Sequence, residues 1–161
     1  MSEFINGTDR LIYILRDAAW FPIGCLSGDT FSESMEMLGT TTRDNPNGWT
    51  TSRPTNQSYS MSFNGLMFNK YIGEAKISYY ELVVYKRYKQ LVSWRMDDGL
   101  GAYTYGQGYI TSLSNSANID EYITFDCSMV GFGEPINEEL ARLLQEIGNF
   151  VLLETNGKII L

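Results

Sequence analysis

Apolar and polar residues alternate along three stretches of this chain, at residues 30–38, 58–68 and 122–130. An extended backbone places successive side chains on opposite sides, so each stretch predicts a strand with one apolar and one polar face. Shorter apolar runs predict further strands at residues 11–15, 22–26, 92–96 and 109–113. The pattern indicates a mainly β, antiparallel fold, in which residues 109–113 and 122–130 form a hairpin.

The two faces of the alternating strands differ in composition. Glu33 interrupts an apolar face that is otherwise made of Phe31, Met35, Met37, Tyr59, Met61, Phe63, Met67, Ile123, Phe125, Cys127 and Met129. The polar face is made of small neutral residues and two acids, namely Ser32, Ser34, Glu36, Ser58, Ser60, Ser62, Asn64, Thr124, Asp126 and Ser128. This face fits either an ordinary half-solvated sheet or a wall facing a confined aqueous channel, and composition alone favours the ordinary sheet.

Two segments have helical periodicity. One α-helix is predicted at about 78–90, with Tyr80, Val83, Val84 and Leu91 on its apolar face. A second helix is predicted to begin at Asn137 and to be followed by a hairpin around Asn156-Gly157. We therefore divide the chain into a β domain at residues 1–136 and a C-terminal helix–hairpin extension at 137–161. The extension is expected to pack on the same domain or on a neighbouring subunit.

A polar, turn-rich loop is predicted at residues 40–54, between two of the alternating strands. It carries Trp49, whose large ring needs a surface to bury it on this subunit or on another copy. Loops carry function because the scaffold beneath them provides the stability. This loop is therefore a candidate contact site.

Composition excludes several classes of function. The 161 residues include no histidine and carry a net charge of −7, which disfavours His-based catalysis and tight binding to nucleic acid. No phosphate-binding or dinucleotide-binding motif occurs, and Asp97-Asp98-Gly99 is a typical turn sequence. Cys25 and Cys127 are expected to be small buried side chains rather than a disulfide. We predict no catalytic residue, no cofactor and no metal site, and no segment long enough for membrane insertion.

The order of several segments resembles the major tail protein, or tail tube protein, of long-tailed bacteriophages. The resemblance covers about residues 10–135. It is carried by PIGCLS at 22–27, FSES at 31–34, TTTRD at 40–44 with GW at 48–49, YSMSFNG at 59–65, GYITSL at 108–113, ITFDCS at 123–128 and VGFG at 130–133.

The resemblance implies an antiparallel β-barrel or sandwich of the tail-tube type with one central helix on its outer side. It implies a structural, non-enzymatic virion protein that assembles into stacked hexameric rings whose lumen conducts the genome. The ten polar-face residues are then candidate lumen residues, and the loop is an inter-ring contact formed by Thr41, Thr42, Arg43, Asp44, Asn47, Trp49 and Arg53.

The same resemblance implies partners and a location. The expected partners are further copies of the chain, a tape measure protein, tail terminator or connector proteins, and double-stranded DNA in transit without specific binding. The expected location is the virion tail, after assembly in the cytoplasm of a bacterial host.

Two alternatives stay open. One is a stand-alone β-sandwich that binds carbohydrate or a receptor through the tyrosine-rich residues 103–109. The other is a tube or terminator component of a contractile or type VI-like injection system.

Overall fold

A computed structural model describes residues 7–40, 48–68, 75–99 and 101–138. A short 3-10 turn, Gly7–Asp9, precedes seven strands and one helix within these residues. In chain order the elements are β1 (Leu11–Arg16), β2 (Ala19–Pro22), β3 (Leu26–Gly39), β4 (Ser52–Leu66), α1 (Tyr79–Arg87), β5 (Val92–Asp97), β6 (Tyr103–Ser116) and β7 (Thr124–Asn137). The predicted mainly β fold is confirmed, including the hairpin of β6 and β7.

All seven strands form one antiparallel sheet in the order β2-β1-β5-β6-β7-β4-β3. The sheet curls so that its distant strands face each other. Arg10, just before β1, forms an ion pair with Asp29 of β3 at 2.8 Å. The ring of Phe31 on β3 lies 5.6 Å from that of Trp94 on β5. The curled sheet therefore encloses its own core instead of needing a second sheet.

Tyr59 lies at the centre of this core with 4% of its surface exposed. Its hydroxyl donates to the carbonyl of Gln107 and accepts from the indole Nε1 of Trp94 at 3.3 Å. Both polar groups are thereby satisfied where water cannot reach them, as burial requires. The apolar part of the core includes Ile12, Ile14, Met61, Phe63, Ile77, Leu82, Val92, Ile110, Phe125, Cys127 and Met129.

Helix α1 is attached to the sheet by a buried ion pair. Ser78 caps its first turn, and both carboxylate oxygens of Glu81 accept from Arg16 of β1, at 2.6 and 2.8 Å. The predicted apolar face is wrong, because Tyr80 is exposed and Leu91 lies beyond the end of the helix. The buried residues of α1 are Glu81 and Leu82. A carboxylate can take a core position here because the guanidinium compensates its desolvation.

The predicted strand at residues 22–26 is also wrong. The strand β2 ends at Pro22, and Gly24 and Cys25 form a turn in which Cys25 has a φ of +57°. Cys25 is exposed, which corrects the expectation that both cysteines are buried. Cys127 is buried as predicted, and burial raises the pKa of its thiol to about 12, so it stays protonated and inert at neutral pH.

The predicted C-terminal helix and hairpin lie outside the described residues, apart from their first positions. β7 ends at Asn137, whose side-chain amide donates to the Thr104 hydroxyl at 2.9 Å. Within the described part of the chain, no helix is long and apolar enough to cross a bilayer.

Candidate functional site

One face of the strands β6, β7, β4 and β3 is mostly polar. Ser112, Ser128, Ser62 and Thr30 stand directly opposite one another across the four strands. Residues opposite each other in an antiparallel ladder share a face, so their side chains form one row. Neighbouring rows contain Ser114, Asp126, Asn64 and Gly28, then Tyr109, Val130, Ser60 and Ser32, then Ser58 and Ser34, and at the other end Ser116, Thr124 and Leu66. Most of these residues are small and polar, and Tyr109, Val130 and Leu66 are the large apolar residues among them.

The sequence-predicted polar residues are thus brought together on a single face, which we call the polar face. The apolar face of β4 is buried as predicted, with Tyr59, Met61 and Phe63 all below 5% exposure. The outer part of the apolar face of β3 is not buried, since Met35 and Met37 are about half exposed, at 51% and 53%. Sequence reasoning missed the serines of β6, Ser112, Ser114 and Ser116. Their period of two was a usable signal, but a bulge after Ile110 shifts the face that β6 presents.

The polar face carries negative charge. Its acids are Asp126 and Glu36, and Glu36 accepts a hydrogen bond from the amide of Asn56 at 3.4 Å. Near the tip of the hairpin, Arg53 pairs with Leu38, which is on the same side of β3 as Glu36. The hydroxyls of Ser34 and Ser58 are hydrogen bonded to each other at 2.9 Å. Short hydroxyl and amide side chains that bond to one another leave a smooth surface, because none of them extends far from the backbone.

The four-stranded section has two open edges. β3 is the last strand of the sheet, so one edge of its backbone pairs with no other described strand. At the other side, β5 pairs with β6 only up to Gly108, so residues 109–116 of β6 pair with β7 alone within the described residues. Open edges present unpaired N–H and C=O groups that can continue a sheet into another chain.

The hairpin of β3 and β4 projects beyond the rest of the sheet. β7 pairs with β4 only as far as Ser60, whereas β3 and β4 remain paired to Gly39 and Ser52. We call residues 34–40 and 51–58 the arm. A cleft of about 860 Å³ opens where the arm leaves the body, lined on one side by Phe31 and Met35 and on the other by Pro135.

The arm ends near Trp49, which is 79% exposed. The predicted loop boundary at residue 54 is wrong, because β4 begins at Ser52 and Arg53 pairs with Leu38 inside the arm. The pairing of the two strands of the arm continues one step further, because the Thr40 amide donates a hydrogen bond to the Thr51 carbonyl at 2.7 Å. The other predicted contact residues, Thr41, Thr42, Arg43, Asp44 and Asn47, lie outside the described residues.

The described residues contain no cluster of three or more His, Cys, Asp or Glu side chains that could hold a metal ion. Asp97 and Asp98 shape the turn between β5 and β6, as predicted, by accepting from the amides of Gly99 and Ala102 at 2.8 and 3.3 Å. In the tyrosine-rich segment, Tyr103 packs its ring against the Arg95 guanidinium at 4.7 Å. These side chains have structural roles in the strands and turns that they occupy.

A family model for phage tail tube proteins matches residues 4–137 of the chain. The curled antiparallel sheet, with its polar face, two open edges and projecting hairpin, agrees with this match. The chain belongs to the phage tail tube protein family. The resemblance predicted from the sequence is thereby confirmed. No curated protein matches this tail tube protein.

Solved structures of tails and related particles share the fold. A tail of an empty gene transfer agent particle, refined with C6 symmetry, superposes with a TM-score of 0.69 at 16% identity, covering 81% of this chain and 96% of that one. The SPP1 tail tube superposes with a TM-score of 0.67 at 14% identity, covering 83% of this chain and 78% of that one. A chain from the baseplate of the anti-feeding prophage superposes with a TM-score of 0.61 at 11% identity, covering 85% of this chain and 97% of that one. At such low sequence identities, the structural similarity shows that these chains share a fold.

Proposed function

We propose that this tail tube protein is the major tail tube subunit of a virion, assembling into stacked hexameric rings whose lumen conducts the genome. The observation that carries the proposal is the polar face with its two open edges. The four-stranded section is buried on one face, polar on the other and open at both edges. It is completed when the edge of β3 in one copy pairs with residues 109–116 of β6 in the next.

Ring closure by this pairing removes both open edges of the four-stranded section, which protects them against unspecific aggregation. Each copy contributes four strands, so a ring of six copies contains a barrel of about twenty-four strands. Neighbouring strands are about 4.8 Å apart and tilted by about 40°, which gives roughly 48 Å between opposing backbones. Such a lumen is wide enough for a DNA duplex. The gene transfer agent tail was refined with C6 symmetry, which supports the choice of six copies.

The polar face then lines the lumen. Its neutral hydroxyls and the acids Glu36 and Asp126 offer no cation to DNA phosphates, and the one arginine on this side of β3 and β4, Arg53, lies near the tip of the arm. Phosphate contacts supply most of the sequence-independent affinity of proteins for DNA. A duplex would therefore pass without being held. The proposal extends to a location in the virion tail after assembly in the host cytoplasm, and to contacts with a tape measure protein and tail terminator or connector proteins. It assigns no enzymatic activity.

Electron microscopy of the purified protein tests the proposal. We expect rings or tubes with a central lumen at high protein concentration, because pairing between the open edges of β3 and β6 in neighbouring copies continues the sheet from one subunit to the next. Strictly monomeric particles at all concentrations, together with binding in a glycan screen, would instead support a stand-alone carbohydrate-binding or receptor-binding module.

A second test concerns the charge of the lumen. The double variant Glu36→Lys with Asp126→Lys replaces two negative charges of the polar face by two positive ones in each subunit. We expect tubes of normal length that retain short duplex DNA when assembled in its presence, with retention falling steeply between about 50 and 200 mM salt. The measurement is co-sedimentation of labelled DNA with the tubes. Wild-type tubes should release the DNA under the same conditions.

The matched control places the same charge change elsewhere. Asp17, in the turn after β1, and Glu138, after β7, are exposed acids outside the polar face. Tubes of the Asp17→Lys, Glu138→Lys variant should retain much less DNA than those of the lumen variant. Equal retention by the two variants would contradict the assignment of the polar face to the lumen.

A further inference from the structure

The loop between β6 and β7 exposes apolar side chains that the fold does not use. Ile119 and Tyr122 are 92% and 82% exposed, the highest values among the large apolar residues described. The loop is nevertheless ordered by a turn, since the Glu121 amide bonds to the Asn118 carbonyl at 3.4 Å and the Glu121 carboxylate accepts from the Asn118 amide at 2.7 Å. Asp120 completes the turn with a φ of +66°. A fixed turn that holds two large apolar groups in solvent is a typical contact surface.

This loop and the tip of the arm lie at opposite ends of the subunit. The register places Thr124, where the loop ends, beside Leu66 at one end of β4, whereas the arm closes at Ser52 at the other end. Fourteen residues of strand separate Ser52 from Leu66. At about 3.3 Å per residue the two ends are roughly 45 Å apart along the strand.

Opposite placement is what a tube of identical rings requires. A structure that grows without limit by stacking one kind of ring uses a head-to-tail contact, in which one end of a subunit binds the other end of the next. The surface that receives the arm must therefore lie on the end of the subunit where the β6–β7 loop is found.

The two ends also complement each other chemically. Both expose apolar side chains, Trp49 at the arm and Ile119 with Tyr122 at the loop. The loop carries the exposed acids Asp120 and Glu121, and the arm carries the exposed cation Arg53. Opposite charges at the edge of an apolar contact fix its register and speed the encounter of the two surfaces.

We propose that the β6–β7 loop, residues 117–123, is the surface that receives the arm of a second copy of this chain in the adjacent ring. In this contact Ile119 and Tyr122 cover the ring of Trp49, and Arg53 pairs with Asp120. The inference rests on the proposed function, because it needs stacked rings. The sequence indicated only one side of the contact between rings, the arm, and the inference assigns the surface on the other side.

A charge exchange tests the pairing. Arg53→Glu and Asp120→Arg, each made separately, should raise the critical concentration for tube formation at least tenfold, because every subunit of a ring repeats the repulsion. The double variant, which exchanges the two signs, should recover most of the wild-type value. Light scattering against protein concentration, with electron microscopy of the products, gives the measurement. Circular dichroism and thermal unfolding confirm that each variant is folded.

The possible outcomes separate this inference from the proposed function. If the wild type forms tubes but the double variant assembles no better than the worse single variant, the pairing of Arg53 with Asp120 is wrong while the tube proposal stands. If the wild type forms no tubes, the proposed function itself fails. Should Asp120→Arg misfold, Asp120→Asn keeps a residue that tolerates positive φ. Tubes of Asp120→Asn should show a higher critical concentration than wild type and less dependence on salt, and an unchanged value would overturn the pairing.

Discussion

Replacing Gly131 with alanine is expected to lower the free energy of unfolding by about 3 kcal/mol, the upper part of the usual range for an overpacked core. Gly131 of β7 pairs with Gly108 of β6, and a Cβ added at Gly131 would overlap the ring of Tyr59. Tyr59 cannot move aside, because its ring packs between those of Phe31 and Trp94 and its hydroxyl bonds to Gln107. Any shift of the ring would also leave buried polar groups unpaired.

Urea denaturation of the monomer at low concentration measures this effect. Gly39→Ala is the matched control, because a Cβ at Gly39 of β3 meets no atom within 4 Å. We expect Gly39→Ala to change the unfolding free energy by less than about 0.5 kcal/mol. Combining Gly131→Ala with Tyr59→Leu should cost less than the sum of the two single changes, since the smaller side chain frees the space. A Gly131→Ala protein as stable as the control would show that Tyr59 is not fixed in this position.

The sequence predicted best those features that depend on local alternation. Along residues 59–65 of β4 and 125–129 of β7 every second residue is buried, so a period of two in the sequence translates directly into burial at Tyr59, Met61, Phe63 and Phe125. The polar partners Ser60 and Ser62 could be identified for the same reason. The membership of the family followed from the order of such segments, and that order reflects the order of the strands along the chain.

Features that depend on distant partners could not be predicted in this way. Glu81 is polar in the sequence but buried in the fold, because Arg16, sixty-five positions earlier, provides its counter-charge. The serines of β6 share a face with those of β4 only after two bulges adjust the register of β6 against β7. The edges of β3 and β6 are open because of the order of the strands in the sheet, and strand order is decided by contacts between segments far apart in the chain.

The arm is another feature that local sequence patterns could not predict, and it carries the candidate contact residue Trp49. Residues 52–57 are polar and turn-rich, which favours a loop, yet they form a ladder with β3 that carries Trp49 outward. The strand forms because the partner β3 is already held in the sheet, so pairing adds hydrogen bonds without a new nucleation cost. A stiff arm positions the contact residue better than a loop, since less conformational entropy is lost on binding.

Replacing Trp49 with alanine is therefore expected to abolish tube formation while leaving the subunit folded. The side chain is 79% exposed in the subunit, so its removal should change the free energy of unfolding by less than about 0.5 kcal/mol. In an interface, truncation of a buried tryptophan typically costs about 2–4 kcal/mol, and every subunit of a ring would lose the same contact. The measured quantities are tube length and number by electron microscopy and the melting temperature of the unassembled protein.

The control for this variant is Tyr88→Ala. Tyr88 caps the C-terminus of α1 and is 75% exposed, so it matches Trp49 in aromatic character and exposure but lies away from both the arm and the β6–β7 loop. Tubes should form normally from Tyr88→Ala and not from Trp49→Ala, with melting temperatures for both close to the wild-type value. Tubes of ordinary length from Trp49→Ala would exclude Trp49 as the anchor, and the contact between rings would then have to be sought along the exposed Met35 and Leu38 of the same arm.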